Sequence, residues 1–387
     1  MTAPADEALR KRHHRGTHRV IAPAETVARA GPLLPVFGIT RVADVTGLDR
    51  IGIPVYVAVR PHGRILQTSN GKGLDHTDAQ VSALMEAIEH WHAENPVLAV
   101  RRCSLAALRH EGKLAVSPEG IDGCPRRSPN AHRHVLDWIE GRDLHRGVRV
   151  WLPAYAASYQ RHQPYQFSYN GLASGNHVVE ATLHALYEVI ERDALASLDG
   201  PRRVHLERCQ VLDPALGAHD DVGRLTEQIR RAGLDLVVLR VPHAPAVHTM
   251  IAVLLDRSAF SGASMVSLGM GAHLSPPVAA IRAITEAAQS RLTFIHGSRD
   301  DLNEQTYEQS DHHRALVAYF TALEPDTTWD DIDDRASNDL GRDLALALAD
   351  LRDLGYEHAF VADLSQGIAG VSTVKVLVPG TRVPVWI

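Results

Sequence analysis

Three segments of this 387-residue chain repeat one polar spacing. The first places Ala79, Ser82, Glu86 and Glu89; the second Ala181, His184, Glu188 and Glu191; the third Ala279, Arg282, Glu286 and Gln289. The copies lie 102 and 98 residues apart, and each follows glycines expected to form a turn: Gly71-Lys72-Gly73, Gly171 to Gly175, and Gly269-Met270-Gly271. At about 100° per helical residue, positions i, i+4 and i+7 fall within about 60° of one another. Ser82, Glu86 and Glu89 therefore share one stripe, as do His184, Glu188 and Glu191, with Glu180 one turn before. Crowded carboxylates raise one another's pKa and resist ionising together. A divalent cation removes that conflict: magnesium takes one or two carboxylates, waters and phosphates, and two ions can bridge a polyphosphate. A Gly-Lys-Gly stretch at a helix start offers backbone donors and a cation to the same phosphates, although it is not a Walker A loop. A solvated helix face with i,i+4 charges is the plainer account of any single copy. Three copies without an intervening lysine favour a shared carboxylate-lined site.

The elements that must position these residues are legible in part. Residues Ile51 to Val59, Leu234 to Val241, His248 to Asp256 and Val371 to Val378 read as strands, being rich in β-branched and apolar residues. Between them run helical patterns with alanine and leucine at three- and four-residue spacing. The uneven alternation predicts a mixed α/β (α+β) fold rather than a regular βαβ array. The run Arg10-Lys11-Arg12-His13-His14-Arg15 reads as a solvated tail or as a basic arm near an anion. The aspartate-rich stretch from Glu324 to Asp339 reads as an exposed acidic loop, with a linker role possible.

Composition narrows the function classes. Apolar residues make up 45% and charged residues 22%, which excludes collagen-like and disordered chains. Forty basic against 46 acidic residues give a formal charge of −6, without the basic footprint of a general nucleic-acid binder. Cys103, Cys124 and Cys209 are sparse and odd in number, which fits a reducing compartment and supplies no zinc knuckle. The histidines are scattered and contain no His-Glu-x-x-His. With no signal-like h-region and no membrane-length apolar run, the expectation is a soluble, cytoplasmic protein.

The motif set resembles the YcaO family. Ser69-Asn-Gly-Lys72-Gly with Ser82-x3-Glu86-x2-Glu89 is similar to its first signature, and Gly175-Asn176-x3-Glu180-x7-Glu188-x2-Glu191-Arg192-Asp193 to its second. Thr285-Glu286-Ala-Ala-Gln289-Ser-Arg291, then Gly297-Ser-Arg299-Asp300-Asp301, is similar to its third. The stretch from Gly38 to Asp49 and Gly52-Ile-Pro-Val resembles the subgroup that works beside TfuA proteins. The resemblance implies a YcaO-like fold over residues 38–387, preceded by a basic, partly extended segment 1–37, with the glutamate helices around one nucleotide site. It implies ATP and Mg2+ as cofactors and activation of a peptide backbone amide by phosphorylation of its oxygen. Carried over by position, Glu86, Glu89, Glu188 and Glu191 hold two magnesium ions; Ser82, Asn176, Glu180, Arg192, Glu286, Gln289 and, less directly, Lys72 contact nucleotide. No catalytic acid or base is assigned.

The azoline-forming branch of that family often ends in Pro-x-Pro repeats, whereas this chain ends Pro379-Gly-Thr-Arg-Val-Pro384-Val-Trp-Ile387. That departure turns the expectation toward thioamide formation with a sulfur-delivering TfuA-like partner, and the apolar end reads as a packed strand end. Azoline-forming cyclodehydration, ATP-dependent peptide cleavage and a non-catalytic nucleotide-binding scaffold are the alternatives. No leader-recognition segment is apparent, so peptide capture is expected to involve a partner. The remaining expectations are a peptide or protein substrate, a homodimer, and neither nucleic acid nor membrane as partner.

Overall fold

The structure is a computed structural model describing residues 9–64, 66–121, 131–159, 167–201, 203–215, 220–258, 265–297, 310–368 and 370–386. In chain order the main elements begin α1 (Pro23–Ala30), β1 (Arg41–Asp44), β2 (Val55–Val59), β3 (Thr68–Lys72), α2 (His76–Glu94), β4 (Arg101–Ser104), α3 (Leu105–His110), β5 (Val135–Asp143) and β6 (Arg149–Pro153). They continue α4 (Ala154–Ala157), β7 (Leu172–Gly175), α5 (Val178–Ala196), β8 (Gln210–Leu212), α6 (Asp220–Arg231), β9 (Asp235–Val241), β10 (His248–Leu255) and β11 (Val266–His273). Last come α7 (Pro276–His296), α8 (Ser310–Thr321), α9 (Leu340–Asp353), β12 (Phe360–Asp363) and β13 (Ser372–Leu377). The fold is mixed α/β, as expected. Contacts divide it into two compact units: residues 1–11, 88–199 and 337–387 in one, 12–87 and 200–336 in the other. Helix α2 contributes to both.

The unit of residues 12–87 and 200–336 holds two antiparallel sheets, β1-β2-β3 and β11-β10-β9-β8. Every residue of β10 is buried, which explains its unbroken apolar run. Helix α7 packs along β11 and β10, and Val238, Met250, Ala252, Ala283 and Ile284 form the core between them. The helix begins with Pro276 in its first turn and ends at Gly297, whose φ of 60° is the left-handed conformation that closes a helix. The other unit is built on a six-stranded antiparallel sheet of order β4-β5-β12-β13-β7, with β6 also on β5. Trp138, Tyr155 and Leu152 fill its core, and α5 lies against β7 and β13.

Several sequence expectations are corrected. The strand expected from Ile51 begins only at Val55, because Pro54 lacks a ladder donor and Gly52 has a φ of 76°. The glycines preceding the glutamate helices are not all turn residues: Gly71 lies on β3, Gly175 on β7, and Gly269 and Gly271 on β11. Each leaves room for the helix that follows. A Cβ on Gly71 would sit 1.9 Å from the Ala83 nitrogen, one on Gly175 2.8 Å from the Ala181 nitrogen, and one on Gly269 2.1 Å from the Ala287 nitrogen. The repeated alanines are thus the other half of a close strand–helix contact.

The described part of the basic segment is no solvated tail. Lys11 is buried and ion-paired with Asp343 at 2.5 Å. Arg15 reaches Asp75 and Asp221 at 3.6 and 3.4 Å, so the anions near this arm are the chain's own carboxylates. The acidic stretch is likewise structural: Asp326 accepts the Val211 amide, Asp331 closes a capping box with Thr328, Asp334 accepts Ser275 Oγ, and Asp339 caps α9. The chain passes from one unit to the other at Ala336–Ser337 within this stretch. The C-terminal stretch is not a strand end: β13 stops at Leu377 and Val385 is exposed. No described helix is long and apolar enough to cross a membrane.

Candidate functional site

Within the unit of residues 12–87 and 200–336, β3 and α7 bring the first and third motifs together. Lys72 Nζ donates to Glu286 Oε2 at 2.8 Å, and the Met270 amide donates to Glu286 Oε1 at 3.3 Å. Asn70, two residues before Lys72, donates from Nδ2 to Thr293 Oγ1 at 3.2 Å. Alternation along β3 puts Asn70 and Lys72 on one face, opposite positions two turns apart on α7. Gln289 is on the same helix, one turn beyond Glu286. The buried atoms Asn70 Oδ1 and Gln289 Oε1 have no hydrogen-bond partner among the described residues. Such groups ordinarily find a ligand or water partner, so the set fits a polar ligand. Ser82 and Glu86 are half-buried on α2.

In the other unit, β7 leads into α5 and carries the second motif. Ser174 donates from both its amide and its hydroxyl to Glu89 Oε1, at 2.9 and 2.7 Å. Asn176 donates from its amide and its Nδ2 to Glu180 Oε1, at 2.9 and 3.0 Å. His177 caps α5 by accepting the Val179 amide at 3.1 Å. Glu188 and Arg192 are half-buried on this helix, whereas Glu180 and Glu191 are buried. Asp193 is structural: it accepts Tyr356 Oη at 2.7 Å and the Arg382 amide at 2.9 Å. It thereby ties the C-terminal segment to α5.

In this unit the carboxylates of Glu89, Glu180, Glu188 and Glu191 and the side-chain oxygens of Ser174 and Asn176 are hard donors, which suit a cation such as Mg2+. Among the described residues no three His, Cys, Asp or Glu side chains form a metal cage by themselves. Magnesium needs no such cage, since it keeps waters and is shared with substrate phosphates. Cys209 is not a poised nucleophile: burial pushes its thiol up to about 12. Cys124 and the motif residues Ser298 to Asp301 lie outside the described residues.

Two contributors escaped the sequence reading. Ser174 and Asn70 both stand inside quoted motifs, but the partner of each is far along the chain, 85 residues away for Ser174 and 223 for Asn70. Their one signal was a polar residue beside a glycine that packs on a helix. Arg291, by contrast, serves stability: its guanidinium bridges the enclosed carboxylate of half-buried Asp49 and that of buried Asp256 at 3.1 and 2.9 Å.

Residues 70–382 match the family model described as YcaO cyclodehydratase, ATP- and Mg2+-binding. An uncharacterized protein of Methanothermobacter thermautotrophicus is 33% identical over 385 residues, covering 94% of this chain and 95% of the relative. An uncharacterized protein in the tfuA 3′ region of Rhizobium leguminosarum bv. trifolii is 33% identical over 379 residues, covering 95% and 89%. Among solved structures, YcaO from Methanopyrus kandleri bound with AMPPCP and Mg2+ superposes with a TM-score of 0.78 at 22% identity, covering 96% and 94%. A heterocyclase in complex with substrate and cofactor gives 0.77 at 26% identity, covering 97% of this chain and 54% of that one.

Proposed function

The chain belongs to the YcaO family, and from that premise we propose that it is an ATP- and Mg2+-dependent peptide-modifying enzyme that forms a backbone thioamide with a TfuA-like sulfur-delivering partner. The observation that carries the thioamide reading is the 33%-identical relative located in a tfuA 3′ region, joined to the subgroup-like segment from Gly38 to Asp49. In this reading residues 38–387 act as one catalytic domain. Glu86, Glu89, Glu188 and Glu191 hold Mg2+, and Lys72, Ser82, Asn176, Glu180, Arg192, Glu286 and Gln289 contact nucleotide. Bound Mg·ATP would supply the phosphoryl group that converts the amide oxygen into a leaving group.

The chain's own residues bind and orient. Lys72, held by Glu286, offers an ammonium charge toward phosphate. The paired donors on Glu89 and Glu180 fix both carboxylates in place, so little reorganisation remains when charge develops. Positioning and electrostatics of this kind carry most phosphoryl transfers. With its thiol protonated at neutral pH, Cys209 does not serve as the sulfur nucleophile.

Co-expression with a neighbouring TfuA-like protein and a cognate precursor peptide tests the reading by mass spectrometry. Replacement of one oxygen by sulfur is expected. Loss of one water would instead establish azoline formation, the second reading, which the likeness to a heterocyclase supports. An unmodified peptide with intact ATP would refute both.

A further inference from the structure

We propose that Ser174 is a positioning residue for the metal site, its hydroxyl and amide together holding Glu89 in the geometry that receives Mg2+; this rests on the reading of Glu89 as a ligand. Both donors meet the same oxygen, Glu89 Oε1, at 2.7 and 2.9 Å. Two donors on one carboxylate oxygen fix the carboxylate plane.

The platform behind these donors is rigid. Ser174 is buried on β7, where it is paired with Thr373 of β13. The next residue, Gly175, lies so close to α5 that a Cβ would come within 2.8 Å of the Ala181 nitrogen. The strand therefore has no room to shift toward α5. Two residues later Asn176 repeats the device, using amide and side chain together on Glu180 Oε1. The end of β7 thus grips two glutamates from different helices, Glu89 of α2 and Glu180 of α5, by one local arrangement. Partners that orient a metal-binding side chain typically contribute on the order of 10- to 100-fold in metal affinity or activity.

Ser174→Ala removes the hydroxyl and retains the amide, so one of the two donors survives. The Mg2+ concentration giving half-maximal ATP turnover should rise about 10-fold, with kcat at saturating Mg2+ within about twofold of wild type. Mn2+ binding followed by electron paramagnetic resonance, with a non-hydrolysable ATP analogue present, should weaken by the same factor without any turnover. Ser174→Thr, which keeps a hydroxyl, should restore the affinity. Ser174→Cys, with a weak donor, should fall between and carries the test if the alanine variant does not fold. Wild-type Mn2+ affinity in the alanine or cysteine variant, or a loss confined to kcat, overturns the proposal. A wild-type protein that binds no Mn2+ overturns the metal reading itself, and the proposal with it.

Discussion

Substitution of Gly71 by alanine isolates the strand–helix contact on which the first motif depends. The added Cβ would lie 1.9 Å from the Ala83 nitrogen and 2.4 Å from the Ala79 oxygen, both backbone atoms of α2. Carbon contacts are optimal near about 3.5 Å, so β3 and α2 must separate by roughly 1.5 Å. No flexible side chain can absorb that displacement. Overpacking of this kind costs typically ~1–3 kcal/mol, and rigid obstacles place Gly71→Ala at about 3 kcal/mol. Reduced freedom of the unfolded chain offsets up to about 1 kcal/mol of this. The net loss of about 2 kcal/mol corresponds to a fall in Tm of roughly 4–8 °C for a unit of this size. Gly223, on α6, is the internal control, since a Cβ there meets nothing within 4 Å. Gly223→Ala should stabilise by about 0.5–1 kcal/mol through helix propensity. Calorimetric melts of the two variants beside wild type provide the assay. Because Lys72 adjoins Gly71, the first variant should also raise the KM for ATP, whereas the control should not. A Gly71→Ala protein that melts within a degree of wild type would refute the packing argument.

Other expectations follow from the same contacts. Glu191→Ala should abolish Mg2+-dependent ATP turnover while circular dichroism remains native, and wild-type turnover would remove Glu191 from the metal set. Arg291→Met should destabilise by about 3–5 kcal/mol in urea melts, because the Asp49 side chain, only 5% exposed, loses its buried counter-charge. Burial pushes His248 down to about 4 from 6.5, so the unfolded chain binds the extra proton between those values and this group's contribution is lost as pH falls through that window. The Tm advantage of His248→Gln over wild type should therefore grow from pH 7 to pH 4.5. Asp78 has the opposite sign: burial and then Asp75 push it up to about 6, so its contribution is present at low pH and lost as pH rises through 6. Asp78→Asn should gain on wild type between pH 4 and pH 7, and parallel profiles would contradict either assignment.

The local patterns were legible in the sequence because they depend on neighbours three to seven residues away. Helical spacing placed Ser82, Glu86 and Glu89 on α2 and His184, Glu188 and Glu191 on α5, and β-branched runs marked β9, β10 and β13 within a residue or two. The joint motif set pointed to the family that residues 70–382 match. Tertiary structure decided what the intervening residues are for. Gly71, Gly175, Gly269 and Gly271, read as turn formers, are strand residues whose missing Cβ is demanded by the backbone of the following helix, whereas Gly171 is a turn residue with a φ of 79°. Lys11 stands in a run that reads as a solvated tail or as an arm near an anion; the anion it meets is the buried Asp343, 332 residues away. Ser174 finds Glu89 and Lys72 finds Glu286 across 85 and 214 residues. Such pairings leave no periodicity in the chain, since hydrogen bonds and ion pairs depend on distance in space; only the fold brings those residues within reach.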